Sequence, residues 1–225
     1  MKSNGGGNYE DILVYRYNVY DILRRIFLWE LPLGLFSELI DMAKAEQNQE
    51  NLGSYVKAES WDYFKAISPK DVPELYHEIA IEYTRLIVGP YHLPTPPFES
   101  VYRNPSHLVM QQETMDVRAF YQENSFKVIE GNHVPDDHIG IELEFMCVMS
   151  KNALDAFQEE NTGKLENYLA VQQEFCDSHL LMWLPKFCSD IKKNTNNDFW
   201  KNVAVLTQEF IQGETSVLKD LQMHV

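Results

Sequence analysis

His138-Ile139-Gly140-Ile141-Glu142-Leu143-Glu144-Phe145-Met146-Cys147-Val148 is the stretch on which the reading of the fold turns. Ile139, Leu143 and Met146 recur at helical spacing. Ile141, Phe145 and Val148 fill other faces, so this helix is apolar nearly all round. Such a helix belongs at the buried centre of a bundle. Asp136 or Asp137 is the expected N-cap. Gly140, in the first turn, is unfavourable for a helix and reads as a point of close approach by another segment.

Helical periodicity continues on both sides. Downstream, Leu165, Leu169, Gln172, Phe175, Cys176 and Leu180 keep a period of three and four, until Pro185 is expected to break or kink the run. Phe187 and Ile191 follow, then an Asn-rich turn, then a last helix from about Phe199 through Val203, Leu206 and Phe210. Upstream, Ser106 is expected to cap a helix ending near Asn124. Pro94, Pro96 and Pro97 form a stiff, extended connection. Ser68-Pro69-Lys70-Asp71 reads as a helix start, and Leu75, Ile79, Tyr83 and Leu86 line the face that follows. Gly89-Pro90 stops that helix, with Gly89 as a left-handed cap. A short aromatic helix falls around Trp61 to Ile67, after a polar loop from Glu46 to Ser54. Pro32 opens a helix whose apolar face is Leu35, Phe36, Leu39, Ile40 and Ala43. The first helix spans about Tyr9 to Leu28, with Ile12, Val19, Leu23 and Ile26 on one face. Residues 1–8 read as a flexible lead-in. No period-2 strand, repeat or linker interrupts this pattern. The expected fold is all-α: a single-domain bundle over residues 1–225, of roughly eight or more helices.

Composition narrows the possible functions. The chain has 225 residues, with 19 Lys+Arg against 34 Asp+Glu, a formal net charge of −15 and a pI near 4.8. Nucleic acid and anionic membranes are poor partners for it, because affinity there comes from cations neutralising phosphates. Basic partners, such as an arginine-bearing peptide, suit it better. Cys147, Cys176 and Cys188 are far apart and odd in number, which argues against a disulfide framework or a structural zinc site. Ile26 to Phe36 is interrupted by Glu30, Pro32 and Gly34 and is too short to span a bilayer. No signal peptide is visible at the N-terminus. The expectation is a soluble protein of the reducing cytoplasm.

Three constellations could carry function. The first is the helix end at Gly89-Pro90 with the loop Tyr91-His92-Leu93-Pro94-Thr95-Pro96-Pro97-Phe98-Glu99-Ser100-Val101-Tyr102. It reads either as a packed corner or as the preformed wall of a peptide groove, since proline and aromatic surfaces need little further ordering. The second is His133-Val134-Pro135-Asp136-Asp137-His138 with Glu142. It reads as an acidic helix start or as a metal or acid–base cluster. The third is Ser178 to Phe187. There Trp183 and His179 read as core residues, with the histidine hydrogen-bonded. No Gly-rich phosphate loop, G-x-S-x-G or H-E-x-x-H occurs. No catalytic residue, metal, nucleotide or other cofactor is therefore expected, and the competing enzymatic reading is an all-α metal-dependent hydrolase built on His133, Asp136, Asp137, His138 and Glu142.

The run from Gly89 to Tyr102 and the P-x-D-H-x-G run from Pro135 to Gly140, in this order, resemble the TorD/DmsD family of redox-enzyme maturation chaperones. His179 to Phe187 fits the family's later helices. The resemblance implies a cytoplasmic chaperone, not an enzyme. Its expected partners are the twin-arginine leader and apo catalytic subunit of a molybdenum-cofactor oxidoreductase, of the dimethyl-sulfoxide or trimethylamine-N-oxide reductase type. It would assist cofactor insertion and proofreading before export. It implies leader-binding residues at Tyr83, Leu86 and Ile87 and at Pro135, Asp137 and His138, with Pro96, Pro97 and Phe98 as the neighbouring wall. Tyr83 is expected to be partly wet because of its hydroxyl. The family often has Trp at the place of Tyr83 and Phe at that of Ile87, so the groove here differs in shape. A monomer or a domain-swapped homodimer is expected.

Overall fold

The computed structural model describes residues 9–28, 33–46, 58–89, 92–128 and 134–225. The expected lead-in at 1–8, the helix-opening Pro32, the polar loop beyond Glu46, and Pro90, Tyr91 and His133 lie outside the described residues.

The helices are α1 (Tyr9–Phe27), α2 (Leu33–Glu46), α3 (Asp62–Ala66), α4 (Val72–Tyr83), α5 (Glu99–Arg103), α6 (Gln112–Glu123), α7 (Ile139–Gln158), α8 (Thr162–Phe175), α9 (Leu181–Asn194) and α10 (Asp198–Met223). Helices α4 and α8 each run on into a π-helical stretch, Thr84–Val88 and Cys176–Leu180. Among the described residues the only β-pairing is an isolated antiparallel bridge between Phe98 and His138.

Helix α7 is the centre expected of it. It packs most extensively on α1 and next on α8. Ile139, Ile141, Leu143, Phe145 and Met146 are all buried, and Val148 alone of the six apolar residues faces solvent. The expected face of α2, from Leu35 to Ala43, is buried as well. Phe145 organises an aromatic cluster, with Phe175 at 4.7 Å and Tyr121 at 5.0 Å between ring centroids.

Several boundaries differ from the sequence reading. Ser68 to Asp71 closes as a turn, with the Asp71 N–H donating to Ser68 O at 2.9 Å. Helix α4 therefore starts at Val72, with Pro73 in its first turn. Ser106 is not a helix cap. Its N–H and hydroxyl both donate to Asn104 Oδ1, at 3.0 and 2.8 Å, and α6 begins only at Gln112. Gly89 ends the π-helical stretch at φ 19° and ψ 155°, not in a left-handed helical conformation. Pro185 lies within α9, one turn beyond the π-helical stretch, so the break expected there is a widened helix instead. Helix α10 continues far past Phe210, because Glu214, Val217, Leu218 and Leu221 extend its buried face.

Glu214 has a partner that the sequence did not advertise. Arg16 of α1 and Glu214 of α10 are both fully buried. Arg16 Nε donates to Glu214 Oε1 at 2.8 Å and Nη2 to Oε2 at 2.7 Å. Nη2 also donates to Gln172 of α8 at 2.6 Å, and Ser150 of α7 donates to the same Gln172 oxygen at 2.8 Å. Tyr20 closes the network by donating to Glu214 Oε2 at 2.7 Å. One polar node thus ties α1, α7, α8 and α10 together.

Arg16→Met is expected to destabilise the fold by about 3–5 kcal/mol, since Glu214 would stay buried without its counter-charge. The double variant Arg16→Met/Glu214→Met should recover much of that loss. Urea unfolding of parent, single and double variants checks both statements.

Candidate functional site

The two motif segments meet edge to edge. Glu99 N–H donates to Asp137 O at 3.0 Å, and Ile139 N–H donates to Pro97 O at 2.9 Å. These two bonds frame the Phe98–His138 bridge, where the two rings stand edge to face at 5.4 Å. The cap of α7 expected from Asp136 or Asp137 is made by His138 instead. Asp137 does not cap α7: its Oδ2 accepts from Ser100 N at 2.9 Å, so it caps α5 across a gap of 37 residues. His138 is the N-cap of α7, with Nδ1 accepting from Gly140 N at 3.0 Å. That acceptor role places the ring proton on Nε2. Burial holds His138 at a pKa of about 4.

Three acidic side chains are packed beside the bridge. Glu99, Asp137 and Glu142 are all fully buried. Glu99 is answered by Arg103, a close ion pair within α5, and by His179 Nδ1 at 3.0 Å. Arg103 also donates to Ser178 O at 3.0 Å. Glu142 Oε2 accepts from Trp183 Nε1 at 3.1 Å. Burial first, and then the carboxylates of Glu99 and Asp137, push Glu142 well above the usual carboxylate range. Close carboxylates cannot all ionise in a dry site, so Glu142 favours its protonated form. His179 and Trp183 are core residues, as the sequence suggested, and the π-helical stretch is what turns His179 towards α5.

The other wall is the end of α4. Tyr83, Leu86 and Ile87 share a face, but that face is buried. Tyr83 is 7% exposed, stacks on Trp200 at 5.7 Å and donates its hydroxyl to Phe27 O at 3.0 Å. Burial pushes its pKa up to about 12. The expected partly wet tyrosine is thus a packed one. Thr95 Oγ1 donates to Leu86 O at 2.9 Å and pins the proline loop to the helix end. Gly140 explains how close the walls come: a Cβ built there would lie 2.6 and 2.7 Å from Leu28 Cγ and Cδ2. Tyr83 and His138 therefore both close on the C-terminal end of α1, one through Phe27 and the other beside Leu28.

Of the nine residues expected to bind a peptide, Pro96, Phe98 and Pro135 are partly exposed. Tyr83, Leu86, Ile87, Pro97, Asp137 and His138 are buried and hold those three in place. Sequence reasoning missed Glu99, Ser100, Thr95 and Leu28. An acid and a serine directly after Phe98 were the available signal for α5. The hydrolase reading is not favoured. Asp136 pairs with Arg118, Asp137 with the α5 backbone, His138 with Gly140 and Glu142 with Trp183. Among the described residues no group of three or more His, Cys, Asp or Glu side chains could hold a metal ion. None of the described helices is long and apolar enough to cross a membrane.

Residues 42–189 match the family described as nitrate reductase delta subunit, a span that contains all three motif segments. The chain is 30% identical over 138 residues to a probable Tat proofreading chaperone DmsD of Haemophilus influenzae, covering 61% of each chain. It is 29% identical over 125 residues to the chaperone protein TorD of Vibrio cholerae, covering 56% of this chain and 55% of that protein. It is 24% identical over 145 residues to the Tat proofreading chaperone DmsD of Salmonella typhi, covering 64% and 61%. These alignments span between half and two thirds of the relatives' own lengths.

Two outcomes follow from this geometry. Gly140→Ala should destabilise by about 1–3 kcal/mol through overpacking against Leu28. Combining it with Leu28→Ala should cost less than the sum of the two single changes in a double-mutant cycle of unfolding free energies. His138 should make stability depend on pH. Its folded pKa of about 4 lies below its ordinary value of 6.5, so its contribution is present above pH 6.5 and is lost as pH falls towards 4. The full effect is about 3 kcal/mol. His138→Asn keeps a capping acceptor but cannot titrate, and its unfolding curves should lack that component between these two pH values.

Proposed function

Because this chain belongs to the TorD-like family described as nitrate reductase delta subunit, we propose that it is a chaperone for a redox enzyme. In this reading it acts in the cytoplasm. It binds the twin-arginine leader and apo form of a molybdenum-cofactor oxidoreductase, of the dimethyl-sulfoxide or trimethylamine-N-oxide reductase type. It holds that client while cofactor is inserted and proofreads it before export. The chemistry required is recognition without bond-making, which suits a site whose acidic side chains are buried and bonded to neighbouring parts of the fold.

The single observation that supports this reading most is the Phe98–His138 bridge. It joins the two motif segments into one ordered ridge, with Pro96, Phe98 and Pro135 accessible along it. Little conformational freedom remains there to be lost on binding, which favours peptide capture. Apolar leader side chains gain by covering Phe98, and the leader's arginines are drawn by a chain of net charge −15. Tyr83, Leu86, Ile87, Pro97, Asp137 and His138 serve as positioning residues, so their replacement acts through the fold.

Titration of a labelled twin-arginine leader peptide tests the proposal. The parent should bind it and should bind an Arg-to-Gln leader more weakly. Phe98→Ala should weaken binding by roughly tenfold, about 1.4 kcal/mol, while unfolding stays cooperative. Tyr83→Ala should instead lower stability, because it empties the space against Trp200 and leaves Phe27 O without its donor. No binding by the parent would sink the reading.

A further inference from the structure

The corner between α5 and α6 keeps four large apolar side chains in water. Leu108 is 60% exposed, Val109 44%, Met110 68% and Met115 52%. Isolated exposed apolar residues are ordinary, but three in succession with a fourth on the adjoining helical turn are not.

The corner is also built to stay in this shape. Asn104 accepts from both Ser106 groups and donates to Glu113 Oε2 at 3.2 Å. His107 Nδ1 lies 2.8 Å from Val101 O, and Gln111 Nε2 donates to Val109 O at 2.9 Å. His107 and Met110 take φ values of 53° and 58°. Side chains bearing a Cβ disfavour this left-handed region. Among the described non-glycine residues two others adopt it, Ser125 and Glu160, and each follows the C-cap of a helix, where it is ordinary. At the corner the strained backbone holds Leu108, Val109 and Met110 outward.

Charge narrows what could cover this surface. Glu113 is answered by the Asn104 amide and Asp116 by the Gln112 amide at 2.8 Å, and among the described residues neither pairs with a cation. Arg103 and Arg118, the arginines on either side of the corner in sequence, are committed to Glu99 and Asp136. The complementary partner is therefore apolar with a basic flank. Methionine side chains are flexible and polarizable, so Met110 and Met115 can pack against varied apolar sequences.

We propose that the Leu108–Met110 corner with Met115 is a docking surface for the apolar stretch of a basic leader peptide. The proposal rests on the leader-binding reading given above and assigns a second contact to it. The basic flank lies against Glu113 and Asp116, and the apolar stretch lies over Leu108, Met110 and Met115.

The test uses the full chain, the double variant Leu108→Ser/Met110→Ser and the control Met223→Ser, whose side chain is exposed on the last turn of α10. Each is titrated with a twin-arginine leader and with the same leader carrying serines in place of its apolar stretch. The unfolding midpoint of the double variant should match the parent's, since both replaced side chains are exposed. The double variant should lose roughly tenfold in affinity for the apolar leader and show little change for the serine leader. Met223→Ser should change neither. Equal loss for both leaders, or none for either, overturns the proposal while leaving leader binding elsewhere intact. If the double variant instead abolishes self-association of the parent and leaves leader affinity unchanged, the corner is an interface between copies and the proposal is wrong. A parent that binds neither leader overturns the chaperone reading, and this surface's occupant with it.

Discussion

The fully buried pair between Arg16 and Glu214 is the constraint from which the rest of the molecule takes its register. Two charges in a dry core are tolerated only when nearly all their polar capacity is met, and here Gln172, Tyr20 and Ser150 help to meet it. Sliding α1 by one turn would strand both charges. That fixes where α1 ends, and its end matters. Phe27 offers the carbonyl that Tyr83 holds, and Leu28 fills the space left open by Gly140. A polar node in the middle of the bundle thus sets the position of two walls at its edge.

Around the bridge the division of labour is between side chains that support and side chains that can be touched. Asp137, His138, Glu99 and Glu142 each commit a hydrogen bond to the fold, although Asp137 Oδ1 and Glu142 Oε1 stay buried without one. Phe98, Pro96 and Pro135 remain partly uncovered above them. A site of this kind is suited to recognition by shape and apolar area. Its acidity is felt at a distance through the net charge of the chain and not through a bare carboxylate at the contact.

Helices that could be read from one face at a time were legible in the sequence. The apolar centre α7, the face of α2 and the core placement of His179 and Trp183 all follow from local periodicity. What local reading missed depended on partners far away in the chain. Arg16 and Glu214 stand 198 residues apart, and no local pattern pairs them. An acid before a helix usually caps that helix, so Asp136 or Asp137 was expected to cap α7; tertiary contact gives Asp137 to α5 instead. Tyr83 carries a hydroxyl that suggested contact with water, but a carbonyl 56 residues upstream supplies its acceptor.

Helix α5 has five residues, too few to persist alone in water. Its first turn is capped by Asp137, which reaches it only once the start of α7 has docked alongside. Forming α5 therefore waits on closing a long loop, a step that carries its own entropic barrier. The ridge it supports depends on that long-range contact. A molecule caught partway through its own folding lacks that ridge, so any peptide binding proposed for it would belong to the finished chain alone.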